Sequence, residues 1–185
     1  MTTPDFWIDR AEPGDQAAIE QLLDLSFGAG RERKTSYRYR DAVAPVAELR
    51  LVARTARGVV GTVRCWPVAI GSRFSPALLL GPLAVDPAER GRGIGGALMR
   101  RALDLATDAG HNLMLLVGDA AYYRDFGFVP AAPYGIAMPD ETPGRLMVKE
   151  LVPQALDGVS GTITRWGWVR AELHAAGYPD LKAAS

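Results

Sequence analysis

The chain has a single cysteine, Cys65, and two histidines, His111 and His174. A lone thiol excludes an internal disulfide, and so few soft or imidazole ligands leave no metal-binding cluster. Neither sign of charge dominates: 21 Lys and Arg balance 21 Asp and Glu, so no global field draws the protein to nucleic acid or to an anionic membrane. The longest apolar stretch, around residues 77–85, is too short to span a bilayer. Residues 1–10 carry acids and lack the apolar core of a secretory signal. Internal repeats and low-complexity linkers are also missing. These absences predict a cytoplasmic domain with no nucleic-acid or membrane partner; a homodimer remains open. The chain's 185 residues, 48% of them hydrophobic, suffice for one well-buried core and would be cramped as two domains.

Phe6-Trp7-Ile8 reads as a first strand, and residues 14–27 place Ala18, Ile19, Leu22, Leu23 and Leu25 at helical spacing behind a Pro-Gly-Asp start. Residues 31–40, basic and rich in tyrosine, suggest a second short helix whose charged face is solvated or binds an acidic substrate. Strands are expected over 49–53 and 59–66, joined as a hairpin through Arg57-Gly58. The run 77–85 is a strand with a local break in pairing at Gly81-Pro82, since proline cannot donate to a ladder. Ile94, Ala97, Leu98, Ala102, Leu105, Ala106 and Ala109 form one apolar helix face, ended by Gly110, with His111 as a partner for the helix C-terminus. A buried strand over 112–117, a short helix over 120–126 capped by Asp119 and a last strand over 145–152 follow. Beyond 153 the pattern does not decide between strands and a packed tail.

The segment Arg90-Gly91-Arg92-Gly93-Ile94-Gly95-Gly96 precedes the long helix. Glycines let backbone approach a ligand closely, and a helix start behind them presents unpaired N–H groups, so the segment suits a phosphate. It satisfies G-x-G-x-x-G literally, with Asp119 roughly twenty residues on. A dinucleotide loop, however, turns at the strand's end, whereas Asp86-Pro87-Ala88-Glu89-Arg90 intervenes here, and too little chain remains for the second half of such a fold. The Gly-Lys-Ser/Thr ending of a nucleotide triphosphate loop is absent. A plain turn before an ordinary helix is the structural alternative.

Leu83-Ala84-Val85-Asp86-Pro87 followed by Arg90-Gly91-Arg92-Gly93-Ile94-Gly95 resembles the acetyl-CoA signature of the GNAT superfamily of N-acetyltransferases, R/Q-x-x-G-x-G/A, with Arg90, Gly93 and Gly95 at its defining positions. Gly118-Asp119-Ala120-Ala121-Tyr122-Tyr123-Arg124-Asp125-Phe126-Gly127-Phe128 is similar to the Tyr-x-x-x-Gly-Phe helix of the same superfamily, in its bacterial GD…YY…FGF form. The resemblance implies an α/β (α+β) GNAT fold, a mostly antiparallel splayed sheet flanked by helices, over residues 1–152, with 153–185 as an extension packed on or trailing it.

It further implies acetyl-CoA as co-substrate, its pyrophosphate on backbone N–H groups of Arg90, Gly91, Arg92, Gly93, Ile94, Gly95 and Gly96. The pantetheine arm would lie along Leu83, Ala84 and Val85, where backbone N–H groups also polarise the acetyl carbonyl. The acceptor is a small-molecule or peptide primary amine, which attacks the thioester directly and needs no enzyme nucleophile; Cys65 is a core residue. Tyr123, four residues before Gly127, stands at the family's general-acid position, and neighbouring Tyr122 reads as packing. The strand over 78–85 carries no acid, so a family base there does not transfer; Asp119 reads as the helix cap, and water suffices for the amine proton. Transfer of a longer acyl chain, or an acyl-CoA sensor without turnover, are the alternatives.

Overall fold

The computed structural model describes residues 5–142 and 144–167. Its elements in chain order are β1 (Trp7–Arg10), α1 (Gln16–Phe27), β2 (Arg50–Thr55), β3 (Gly58–Ile70), β4 (Ser75–Val85), α2 (Ile94–Asp108), β5 (Leu113–Val117), α3 (Ala120–Tyr123), β6 (Val129–Pro130), β7 (Ile136–Ala137), β8 (Leu146–Glu150) and β9 (Gly161–Arg165). The strands form one open sheet in the order β1-β2-β3-β4-β5-β8-β6, antiparallel except where β4 runs parallel to β5. The segment the periodicity left undecided supplies β9, which pairs antiparallel with the far end of β3 and parallel with β7. Residues 168–185, with His174, lie outside the described residues.

The central strands are apolar at nearly every position because both faces of the sheet are covered. Side chains alternate along a strand. Leu51, Leu78, Leu80, Met114, Leu116 and Met147 therefore pack on one face with α2, while Leu79, Leu113, Leu115, Leu146 and Val148 fill a second cluster on the other. Helix α1 lays Ile19, Leu22 and Leu23 against Val52 and Ala84. Cys65 is fully buried, and burial pushes its thiol up to about 12, in keeping with an inert core residue. The buried face of α2 is Ile94, Leu98, Met99, Ala102, Leu103 and Ala106. It is rotated from the expected face toward Met99 and Leu103, which reach the core where Ala97, Leu105 and Ala109 stay half-buried.

Two other expectations need correction. Residues 31–40 form two tight 3₁₀ turns, Arg31–Arg33 and Thr35–Tyr39, separated by an extended Lys34, rather than one helix. Tertiary ion pairs hold them: the buried Arg31 bonds Glu20 at 2.5 Å and Asp24 at 2.7 Å. Arg31 is thus a cross-link to α1 and not part of a solvated face. His111 is half-buried, and its desolvation lowers its pKa, so at neutral pH it is no cation for the end of α2.

The sheet opens in its middle. β4 and β5 pair only at Leu78↔Met114 and Leu79↔Leu115; beyond that β4 continues to Val85 with no partner on that side among the described residues. On its other side the β3 register shifts between Val63 and Cys65, opposite Gly81-Pro82, and the Trp66 indole N–H donates to the Gly81 carbonyl at 2.9 Å. The break predicted at Gly81-Pro82 is therefore a bulge in β4. It sits where the two halves of the sheet part, and the outer half of β4 is left as one wall of a cleft.

Candidate active site

A cavity of about 580 Å³ lies between the outer half of β4 and the start of α2. Leu83, Ala84 and Val85 form one wall, and Arg90, Gly91, Gly93, Ile94, Gly95 and Gly96 the other. The turn preceding α2 needs its glycines: Gly91 has φ +82° and Gly93, the N-cap, +78°, in the left-handed region. The first intrahelical bond runs from Ala97 N–H to the Gly93 carbonyl at 3.0 Å, so the N–H groups of Ile94, Gly95 and Gly96 have no helical acceptor. They form a donor cluster at the positive end of the helix. Gly61 on β3 lets α2 approach this closely, for a Cβ there would lie 3.0 Å from both Ile94 and Leu98.

Of the glycine-arginine segment only the Arg92 side chain does not line the cavity. Its guanidinium bonds Glu89 and reaches Asp5 at 2.8 Å. Glu89 is nearly inaccessible and also receives Arg57 at 3.3 Å. This knot braces the loop from behind, so Arg92 holds the turn in shape.

A second cavity, about 510 Å³, lies at the bulge. Its walls come from the 3₁₀ turns (Lys34, Tyr37, Arg40), from Gly81-Pro82, and from the loop Asp140-Glu141-Thr142 with Arg145. Two bonds to Asp140 tie the first and last of these together: Arg38 at 2.9 Å to its carboxylate and the Thr35 hydroxyl at 3.2 Å to its carbonyl. Phe27, Leu83, Tyr122 and Tyr123 line both cavities, so the two spaces meet at these residues.

Both tyrosines come from α3, which Asp119 caps by accepting the Ala121 N–H at 2.9 Å. Tyr123 packs edge-on against Tyr122 at 4.9 Å and against Phe128 at 6.1 Å. Its hydroxyl has no hydrogen-bond partner among the described residues. Burial, with a smaller contribution from Tyr122, pushes its phenol up to about 12, against a weak opposing effect of Arg145. Tyr122, expected to be packing alone, also faces the cleft; it is 44% exposed, with its hydroxyl beside Gly95.

Gly118 carries weight that its turn-like sequence context hid. A Cβ there would stand 2.1 Å from Cε2 of Tyr123, so the ring packs directly on glycine backbone. Gly118→Ala should displace the Tyr123 ring and lower turnover by about tenfold or more. Acetyl-CoA affinity is expected to hold within about threefold, because Gly118 lines the cavity at the bulge and not the one against α2. Steady-state rates together with CoA titrations check this, and unchanged turnover would show that the ring's position is immaterial.

This combination of splayed sheet, glycine-rich helix start and shared tyrosine junction defines an acyltransferase fold. The family model described as "Acetyltransferase (GNAT) domain" matches residues 47–130. The chain is 32% identical over 153 residues to the uncharacterized N-acetyltransferase YhbS of Escherichia coli, covering 82% of this chain and 90% of that one. It is 28% identical over 170 residues to YjhQ of the same organism, also termed an N-acetyltransferase, covering 84% and 90%.

The chain therefore belongs to the GNAT acetyltransferase family. Two solved structures agree. The E. coli YhbS complex with CoA superposes at a TM-score of 0.79, with 29% identity over 92% of this chain and 94% of that one. A GNAT acetyltransferase from Brucella melitensis in complex with acetyl-CoA gives 0.68, with 28% identity over 88% and 96%.

Proposed function

We propose that this protein transfers an acetyl group from acetyl-CoA to a primary amine, with CoA in the cavity against α2 and the acceptor in the cavity at the bulge. The observation that carries the reading is that the two cavities meet at Leu83 and Tyr123, between a strand edge and a phenol. Free N–H groups of Ile94, Gly95 and Gly96 suit the pyrophosphate. The unpartnered edge of β4 offers donors and acceptors to the amides of the pantetheine arm, as an added strand would use them. At the junction a backbone N–H near Leu83 polarises the thioester carbonyl; a positioned donor of this kind is worth about 3 kcal/mol in the transition state.

The amine nitrogen then attacks the carbonyl carbon, the C–N bond forms and the C–S bond breaks. The ammonium proton leaves to water in the open acceptor cavity. Tyr123 delivers its phenolic proton to the departing sulfur and regains one from solvent, so the enzyme is unchanged after each turnover.

Acetyl-CoA and CoA should both raise the melting temperature. At a concentration a hundred times Kd the stabilisation is about 2.7 kcal/mol, which for a domain of this size is roughly 5–10 °C. NAD and ATP should produce far smaller shifts. Equal stabilisation by NAD would restore the dinucleotide reading, and binding of acetyl-CoA without thiol release across a broad amine panel would favour a sensor.

A further inference from the structure

The cavity at the bulge holds a cation that no carboxylate among the described residues neutralises. Arg40 projects from the second 3₁₀ turn to the bulge, where its Nη2 abuts Gly81. Its guanidinium stacks on the Tyr37 ring at 4.2 Å, with Trp66 at 6.0 Å. Nε and Nη1 are buried with no hydrogen-bond partner. No carboxylate among the described residues pairs with it. The nearby acids are already engaged: Asp24 holds Arg31, and Glu20 holds both Arg31 and Arg64.

The same asymmetry extends round the cavity. Asp119 caps α3, Asp140 is paired with Arg38, and Glu141 accepts the Thr142 N–H at 3.0 Å. Lys34 and Arg145, in contrast, have no ion pair among the described residues; Lys34 covers the Phe27 ring at 4.5 Å. Each of these acids is thus hydrogen-bonded locally, and among the described residues Lys34, Arg40 and Arg145 have no carboxylate partner.

A buried guanidinium without a counter-charge is costly, and it is maintained where an anion completes it. Burial, reinforced by the charges of Arg64 and Arg31, drags the Arg40 pKa down to about 10 against the opposing pull of Tyr37, so Arg40 is still protonated at neutral pH, with no carboxylate partner among the described residues. Guanidinium presents its N–H groups in the fork that matches a carboxylate.

We infer that the acceptor is a small amine bearing a carboxylate, an amino acid in the broad sense, whose carboxylate binds Arg40 at the bulge while its amine reaches the junction at Tyr123. The inference rests on the acetyltransferase reading for the fate of the amine but not for the binding of the anion. β4 places Arg40's contact at Gly81 two residues from Leu83, a separation of at most roughly 7 Å, the regular strand value, which the bulge shortens. That spacing suits an amine several bonds from its carboxylate better than an α-amino acid.

The test uses matched pairs with the same amine, 4-aminobutanoate against 4-aminobutanamide and 6-aminohexanoate against 6-aminohexanamide. Two readouts are taken: thiol release from acetyl-CoA, and calorimetric binding to the CoA-saturated protein. The carboxylates should exceed the amides in kcat/KM by between about tenfold and a hundredfold, as expected for a hydrogen bond to a charged partner. Arg40→Gln should erase that preference. Equal values within each pair, or a preference that survives Arg40→Gln, overturns the inference while leaving the transferase intact.

Should no pair turn over while the carboxylates still bind more tightly than the amides in an Arg40-dependent way, the anion site stands and the transferase reading falls. Acetylation of acidic peptides but of no small carboxylate amine would also overturn the inference. If Arg40→Gln does not fold, the comparison within each pair on the wild-type protein decides alone.

Discussion

Replacing Tyr123 by Phe should lower kcat by about a hundredfold or more with a competent amine, while KM for acetyl-CoA changes little. The ring keeps its contacts with Tyr122 and Phe128 and its seat on Gly118, so packing and CoA affinity persist. Only the phenolic hydroxyl is lost. With the phenol pushed up to about 12, transfer to a free thiolate, whose pKa is near ~8.5, is uphill. The phenol therefore acts through its hydrogen bond to the sulfur as charge builds there during C–S cleavage, and reprotonation of Tyr123 from solvent draws the transfer to completion. The donor form is the protonated phenol, which persists to about 12, so ionisation of Tyr123 should not reduce the rate at any ordinary assay pH. Tyr122→Phe should cost much less, since that residue is 44% exposed and water can stand in for its hydroxyl. Turnover of Tyr123→Phe equal to that of the parent would reduce Tyr123 to a packing residue.

Gly95→Val should weaken CoA binding by about tenfold or more without unfolding the protein. Gly95 has ordinary helical backbone, so a side chain introduces no φ strain. A Cβ there would lie 3.3 Å from the Tyr122 hydroxyl and 3.6 Å from Val85. A branched side chain would consequently fill the space between the two walls of the CoA cavity. Gly93 differs: its Cβ would meet open space, but its φ of +78° disfavours any L side chain, so substitution there acts on the turn itself, at about 1 kcal/mol. Isothermal titration with CoA and thermal melts of both variants separate the two effects. Undiminished CoA affinity in folded Gly95→Val would remove the start of α2 from the binding site.

The features legible in the sequence are those with local causes. The apolar runs of β3, β4 and β5, the break at Gly81-Pro82, the glycines ahead of α2 and the Asp119 cap each follow from a few neighbouring residues. The cavity at the bulge was not legible, because its shape comes from distant partners. Residues 31–40 look helical until Arg31 is seen to reach back to Glu20 and Asp24 on α1. Arg40, one of several arginines in a basic stretch, becomes distinctive only when the Gly81 bulge and the engaged acids surround it. Phe27 and Tyr122 line the junction, yet each reads locally as the end of an amphipathic face. The two-residue strands β6 and β7 are too short to carry a period, and β9 is defined by its pairing to β3 rather than by its own pattern.

The return of β9 to β3 also bears on how the chain is made. During synthesis the outer half of β3 can pair with β2 at once, but Val68, Ala69 and Ile70 must wait for Ile163, Thr164 and Arg165. Until those residues leave the ribosome, a nascent chain already holding the whole glycine-arginine loop carries a bare apolar strand edge, the kind of edge that pairs with other chains. Late closure of so distant a contact is slow as well as exposed. The emerging polypeptide is therefore most prone to self-association just before β9 docks, and a chaperone that shields strand edges would act in that interval.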